Sequence, residues 1–357
     1  MKEQHLSELS PSPAPTPRSM EFALFLTGGL WVLAARAAAE HAASGFISGL
    51  HLENYYEPLL TAVFLLFLLL VGFAGISWIA TRRATVRGVN ALPSRATARR
   101  EWALGAVVGW AMVVVAVLPI MLTGDLHPNF WLAPAAFGHL LLEVAILLVL
   151  SLAQEAVYRG YLFARLIRTM GPTMATLAMS AIAAAVSAFH PWAGPLSVFV
   201  TFLLSIVFSM AYLRTRALWL PWGLHFAWSA CIGVLFGLPV GGWNSFSSVV
   251  DTSTYGSTWI TGGFYGPEGA LFTVVVAVAA MGVLYSLTRD LAWEYTQPVI
   301  VAAGHPMDVA PPVEHTKMEQ AAAAKPVLVQ ILATTPGEAS TMPVIEQHLR
   351  GDAERES

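Results

Sequence analysis

Four residues in this chain have the types and spacing for chemistry. Glu155 and Arg159 stand one helical turn apart in QEAVYRGYLF, and His190 and His225 lie on two later apolar segments. A carboxylate and two imidazoles can take up and release protons near neutral pH. Each is costly in an apolar setting, since a charged side chain at the centre of a bilayer costs about 2.5–3.5 kcal/mol on insertion scales. Such groups therefore face a cavity and pair with one another, and three segments each supplying one of them point to a site.

The segments that position them are membrane spans. Hydrophobic residues make up 56% of the 357 and charged residues 11%, against about 25% charged in soluble domains. Apolar runs of spanning length fall near 21–45, 57–80, 102–123, 136–163, 173–190, 195–213, 217–237 and 268–288. The expected fold class is all-α: a polytopic membrane bundle of about eight transmembrane helices with a polar intramembrane cavity. A net charge of -3 gives no sign of a nucleic-acid partner, and the single cysteine, Cys231, cannot form an internal disulfide.

Charge asymmetry orients the bundle. The connection 81–100 holds six arginines and no acid, which marks it as cytoplasmic. Threading from there puts both termini in the cytoplasm and the basic turns at Arg165 and Arg168, at Arg214 and Arg216, and at Arg289 on the same side. The opposite connections, HLENYYEP, TGDLHPNFW and 239–265, are rich in aromatics and lack lysine and arginine. Residues 1–19 read as a disordered extension rather than a signal peptide, because a long polar leader precedes the first apolar run. Two spans and the basic loop fill 20–100, the site-bearing core fills 101–290, and 298–357 reads as a mostly disordered cytoplasmic tail. There is no internal repeat and no Walker, Rossmann or HExxH motif.

The fourth helix is expected to run unbroken from about 136 to Met170, roughly 50 Å, with Glu155 inside the membrane. His225 lies about two turns into the seventh span, and His190 closes the fifth at HPWAGP, where two prolines stop it. His139 and Glu143, and likewise Arg36 and Glu40, are spaced i,i+4 and are expected to satisfy each other. Asp251 and Glu268 are expected to be solvated. The glycines of GGW and TGGFYGPEG are expected to shape a re-entrant or packed loop.

The order QEAVYRG, then AFH, then LRTRALWLPWGLHFAWSA resembles the CPBP family of intramembrane proteases, which includes the type II CAAX prenyl endopeptidases. GLPVGG and ITGGFYGPEG extend the resemblance over roughly 100–290. The family pattern is EExxxR, FxxxH and HxxxN or HxxxD. Glu155 and Arg159 match the second glutamate and the arginine, and His190 and His225 match the histidines. Three positions depart: Gln154 stands for the first glutamate, Val186 for the phenylalanine, and Ser229 for the final Asn or Asp. Gln154 matters most, because that glutamate is the one assigned to water activation and an amide cannot take a proton at neutral pH.

The resemblance implies an endopeptidase in a bacterial cytoplasmic membrane, acting in lipid on a membrane-associated or lipidated peptide or protein. Hydrolysis needs a positioned water, a base and an oxyanion donor. Glu155 would orient or deprotonate water, His190 would share that work, and His225 with Ser229 would serve the oxyanion. A zinc version would use His190, His225 and Glu155 as ligands; a metal-free version would not. Glu143 lies about 16 Å along the helix from Gln154 and is too far to replace it. The alternative is a protease-fold protein that lost its base and serves binding, immunity-like or scaffolding roles. A transporter is the weaker third reading.

Overall fold

The computed structural model describes residues 16–82, 85–243 and 246–289. The tail 298–357 and most of the N-terminal extension lie outside the described residues. In chain order the elements are α1 (Arg18–Leu50), α2 (Glu57–Thr81), α3 (Val86–Val89), α4 (Ala98–Leu122), β1 (Leu126–Phe130), α5 (Pro134–Glu155), α6 (Leu162–Met170) and α7 (Pro172–Ser187). There follow α8 (Pro195–Thr215), α9 (Trp219–Ala230), β2 (Val250–Thr254), α10 (Thr258–Thr261) and α11 (Leu271–Leu287). Proline in the first turn starts α2, α5, α7 and α8, where its missing N–H is not needed. Left-handed residues His51, Arg82 and Arg216 end α1, α2 and α8.

Five helical stretches are long and apolar enough to cross a membrane: Arg18–Leu50, Asn54–Thr81, Ala98–Leu122, Pro134–Met170 and Pro195–Thr215. Together with α7, α11 and α9 with its π-helical continuation Cys231–Leu235, they give the eight segments expected. Their outer faces carry bare apolar side chains such as Leu33 (68% exposed), Ile79 (68%) and Leu122 (79%). Apolar surface on that scale suits lipid and not water. The chain is a multi-pass membrane protein.

Two packed cores hold the bundle. One joins α4, α8, α9 and α11 around Val113, Val207, Leu224 and Trp228; the other joins α1, α2, α6 and α7 around Phe73, Phe163 and Met179. Between α4 and α9 the backbones nearly touch. A Cβ on Gly105 would stand 2.1 Å from the Leu220 carbonyl oxygen, and one on Gly109 2.3 Å from that of Leu224. This glycine pair, four residues apart, is the small-residue seam that lets membrane helices approach closely. It draws α9, and with it His225, against the neighbouring helices.

Three features differ from the sequence expectation. The 136–170 helix is not uniform, because a π-helical turn, Ala156–Tyr161, separates α5 from α6, with Gly160 at φ −81°, ψ −116°. The two outer connections form an antiparallel ribbon, β1 with β2, in which Leu126 faces Thr254 and Phe130 faces Val250. The alternating β-branched residues Val250, Thr252 and Thr254 favour extended backbone, so the all-helical bundle carries one small ribbon. Finally, α11 begins at Leu271, which leaves Glu268 in a preceding 3-10 turn, Pro267–Gly269.

Candidate active site

The π turn carries the first half of the site. Hydrogen bonding from i to i+5 widens the helix, and such bulges recur at functional sites. Across it Arg159 Nη1 donates to Glu155 Oε1 at 3.2 Å. Arg159 Nη2 donates to the Ser205 carbonyl oxygen at 3.1 Å and to Ser205 Oγ at 2.8 Å, which ties the turn to α8. His225 on α9 brings Nδ1 to 2.7 Å from the same Glu155 oxygen, its ring stacked on Phe208 at 4.9 Å. Phe208 also lies under the Arg159 guanidinium, 5.1 Å away. α5 with its π turn, α8 and α9 thus meet around the Glu155–Arg159 pair.

Burial separates the roles of these groups. The side chains of Glu155 and Arg159 are 0% and 3% exposed, whereas that of His225 is 16% exposed. Glu155 Oε2 and Arg159 Nε are buried without a hydrogen-bond partner among the described residues. An ionised carboxylate only accepts, so His225 Nδ1 carries the proton of this bond and Nε2 is left for other work. Glu155 is closed off from solvent and fixes His225. Expected to orient or deprotonate water, it sits where it can orient an imidazole.

His190 belongs to the second half. It lies past the end of α7, its N–H bonded to the Ser187 carbonyl at 3.0 Å, and is half-buried. Its Nδ1 donates to the Gly241 carbonyl oxygen at 3.1 Å, which leaves Nε2 as the acceptor. The glycine-rich loops lock this turn in place. Gly242 N donates to the Tyr265 carbonyl at 2.9 Å, and a Cβ on Gly242 (φ +81°) would stand 1.9 Å from the Pro191 carbonyl oxygen. The expectation of a packed loop at GGW and TGGFYGPEG holds.

That loop delivers a carboxylate which the sequence reading had in solvent. Glu268 is half-buried and its Oε1 accepts from Trp228 Nε1 at 2.6 Å. A Cβ built on Gly241 would lie 3.3 Å from Glu268 Oε2 and 3.7 Å from His190 Nδ1. The carboxylate and the imidazole are therefore no farther apart than those two lengths laid end to end. The clue lay in TGGFYGPEG, an acid in a glycine-dense stretch, and in an indole one turn beyond His225. Asp251, by contrast, is exposed as expected.

The remaining residues place as follows. Gln154 is half-buried and makes no side-chain hydrogen bond to a described residue, and Ser229 is buried one turn beyond His225. His190 makes no hydrogen bond to Glu155 or His225 among the described residues. The link between the two halves runs through Glu268 and Gly241. Glu143 does not bond His139 as expected. Its Oε2 accepts from Ser248 N at 3.0 Å and from Ser248 Oγ at 3.2 Å, and its Oε1 faces the Tyr55 hydroxyl at 3.4 Å, because the loop before β2 folds onto α5. Arg36 and Glu40 do pair, at 3.0 Å.

Of the zinc set anticipated from the sequence, Glu155 Oε1 already serves Arg159 and His225. His225 and His190 bond Glu155 and Gly241 through Nδ1, which leaves Nε2 of each ring as the atom a metal would take. No group of three or more His, Cys, Asp and Glu side chains with metal-holding geometry occurs among the described residues.

These features define a class: a multi-pass membrane bundle that buries an acid–guanidinium–imidazole group where its helices are bent or broken. Residues 134–231 match the family model described as type II CAAX prenyl endopeptidase Rce1-like, a protease family. This supports a CPBP relation over a narrower stretch than the sequence suggested. The match spans α5 to the first residue after α9 and contains Glu155, Arg159, His190, His225 and Ser229, whereas Glu268 falls outside it. Neither the curated proteins nor the solved structures gave a match.

Proposed function

We propose that this protein is an intramembrane endopeptidase of the CAAX-protease-like type, hydrolysing a peptide bond in a membrane-associated or lipidated peptide or protein. The observation that carries this reading is the 2.7 Å contact between Glu155 and His225, made inside a segment matching a protease family. Arg159 neutralises Glu155, Glu155 accepts from His225 Nδ1 and favours the doubly protonated ring, and the imidazolium presents Nε2–H to the reacting carbonyl. A positioned imidazole can donate to the developing oxyanion, and donors fixed beforehand in a water-poor site are the largest single source of rate in many enzymes. Ser229 adds a hydroxyl one turn away, and His190 helps to hold the attacking water. The core 101–290 carries the activity, with both termini in the cytoplasm of a bacterial cell. No step is routed through a metal.

The test is cleavage of lipidated and unlipidated membrane peptides by the reconstituted native chain and its Gln154→Glu and Glu155→Ala variants. Activity in the native chain, lost in Glu155→Ala, supports the reading. Activity only in Gln154→Glu supports the second reading, a protease-fold membrane protein that binds without cleaving, which Gln154 itself favours. Absence of cleavage in all three overturns the peptidase assignment.

A further inference from the structure

Gln154 leaves the reaction without the carboxylate that would activate water. Glu155 cannot take its place, because it is 0% exposed and its Oε1 is shared by Arg159 and His225. We propose that Glu268 is the catalytic base of this protein, a carboxylate supplied by the loop before α11 in place of one supplied by α5.

Three observations place Glu268 in the reaction space. Its Oε1 is anchored by Trp228 Nε1 at 2.6 Å, and Trp228 is on α9 three residues beyond His225, so one helix sets both groups. Its Oε2 lies against Gly241, the residue whose carbonyl holds His190. The loop that carries it is bonded to Gly242, beside the His190 contact, through the Tyr265 carbonyl at 2.9 Å, so Glu268 is held by the segments that carry or contact both imidazoles. Formal charge agrees with this. Glu155 and Arg159 cancel, which leaves Glu268 facing two histidines, so one proton carried by this trio makes the site neutral. A buried site near neutrality avoids the cost of an uncompensated charge.

The inference rests on the peptidase reading and assigns its steps. Glu268 removes a proton from water while the water oxygen bonds to the scissile carbonyl carbon, and Nε2–H of His225 in its imidazolium form donates to the oxyanion. When the carbon–nitrogen bond breaks, the Glu268 carboxyl returns that proton to the leaving nitrogen. Peptide and water become acid and amine, and Glu268 is regenerated. No oxidant or further reactant is needed.

The experiment uses the full chain in lipid nanodiscs and a fluorogenic membrane peptide that the native protein cleaves. Glu268→Gln keeps a carbonyl oxygen for Trp228 and removes the base. The expected result is a kcat loss of about 10²–10⁴-fold, the usual contribution of a general base, with KM nearly unchanged and the acidic limb of the pH–rate profile abolished. Trp228→Phe keeps the ring and removes the anchor; it should lower kcat by a smaller factor and retain that limb. If Glu268→Gln cleaves at the native rate, or loses activity only through KM, the inference fails while the peptidase reading stands. If the native chain cleaves no peptide, both fail. Should Glu268→Gln not fold, Trp228→Phe decides: a native kcat and pH profile overturn the inference.

Discussion

Replacing Glu155 by leucine tests whether the buried ion pair carries the site. The change removes the acceptor of Arg159 Nη1 at 3.2 Å and of His225 Nδ1 at 2.7 Å. Arg159, 3% exposed, keeps only its bonds to Ser205 and is left as a nearly uncompensated buried cation. Breaking a buried pair from one side costs about 3–5 kcal/mol. At about 1.4 kcal/mol per tenfold change, the unfolding equilibrium should move by roughly 10²–10³·⁵. Removing both partners is far milder, because no charge is then stranded. Glu155→Leu/Arg159→Leu should therefore regain much of the loss, with a coupling energy of about 2–3 kcal/mol. Reversible unfolding in mixed detergent micelles, monitored by tryptophan fluorescence, measures all four corners of the cycle. A single substitution costing under about 1 kcal/mol, or effects of the two that simply add, would refute the reasoning, because the pair would then be solvated or already broken.

Other outcomes follow from the packing and the site chemistry. Gly109→Leu should destabilise the protein by about 1–3 kcal/mol or more, since its Cβ would meet the Leu224 carbonyl oxygen at 2.3 Å; Gly75→Ala, with open space around it, should gain about 0.5–1 kcal/mol in the same unfolding assay. Glu21→Leu should cost about 3–5 kcal/mol, because Glu21 is 1% exposed and anchors α1 to Arg165 at 2.9 Å and to Arg168; equilibrium unfolding measures it, and a cost near zero would mean the cluster is loose. Treatment with a strong zinc chelator should leave cleavage within about twofold of untreated protein, because the hydrolysis assigned to Glu268 and His225 needs no metal-activated water; loss of activity restored by added zinc would refute that assignment.

What was legible in the sequence divides along physical lines. Eight spans could be read because each is a long apolar run. The convergence of Glu155, Arg159 and His225 could be read because an unpaired charge in an apolar helix must find a partner, and the nearest is one turn away. The π turn at Ala156–Tyr161 could not, since it depends on how α6 packs against α1 and α7 rather than on local spacing; Gly160 marks where the chain permits it. Glu21 was likewise missed, because its partners Arg165 and Arg168 stand more than a hundred residues later and helix periodicity carries no information at that range. The pairing of Glu143 with Ser248 failed to show for the same reason. Its expected partner His139 was local, while the actual one arrives with the loop before β2.

Glu268 was misplaced for a more instructive reason. Counting the last span from 268 made that residue the mouth of a helix and so a solvated acid, whereas α11 begins at Leu271. Glu268 lies instead in a 3-10 turn, Pro267–Gly269, that glycine lets fold inward. Gly266 has φ +94°, and a Cβ there would stand 1.9 Å from the Pro239 carbonyl oxygen. Any larger residue would push the turn outward and take the carboxylate with it. Irregular backbone at membrane depth is tolerated only where protein surrounds it, and here the surrounding groups are those that would do the chemistry: the His190 turn, the Gly241–Gly242 bend and the Trp228 indole. The helices supply His225 and its orienting acid, while the glycine-built loop holds the His190 turn and supplies the exchangeable part of the site. A carboxylate lost from α5 at Gln154 can then be replaced from α11's leading turn without moving a helix.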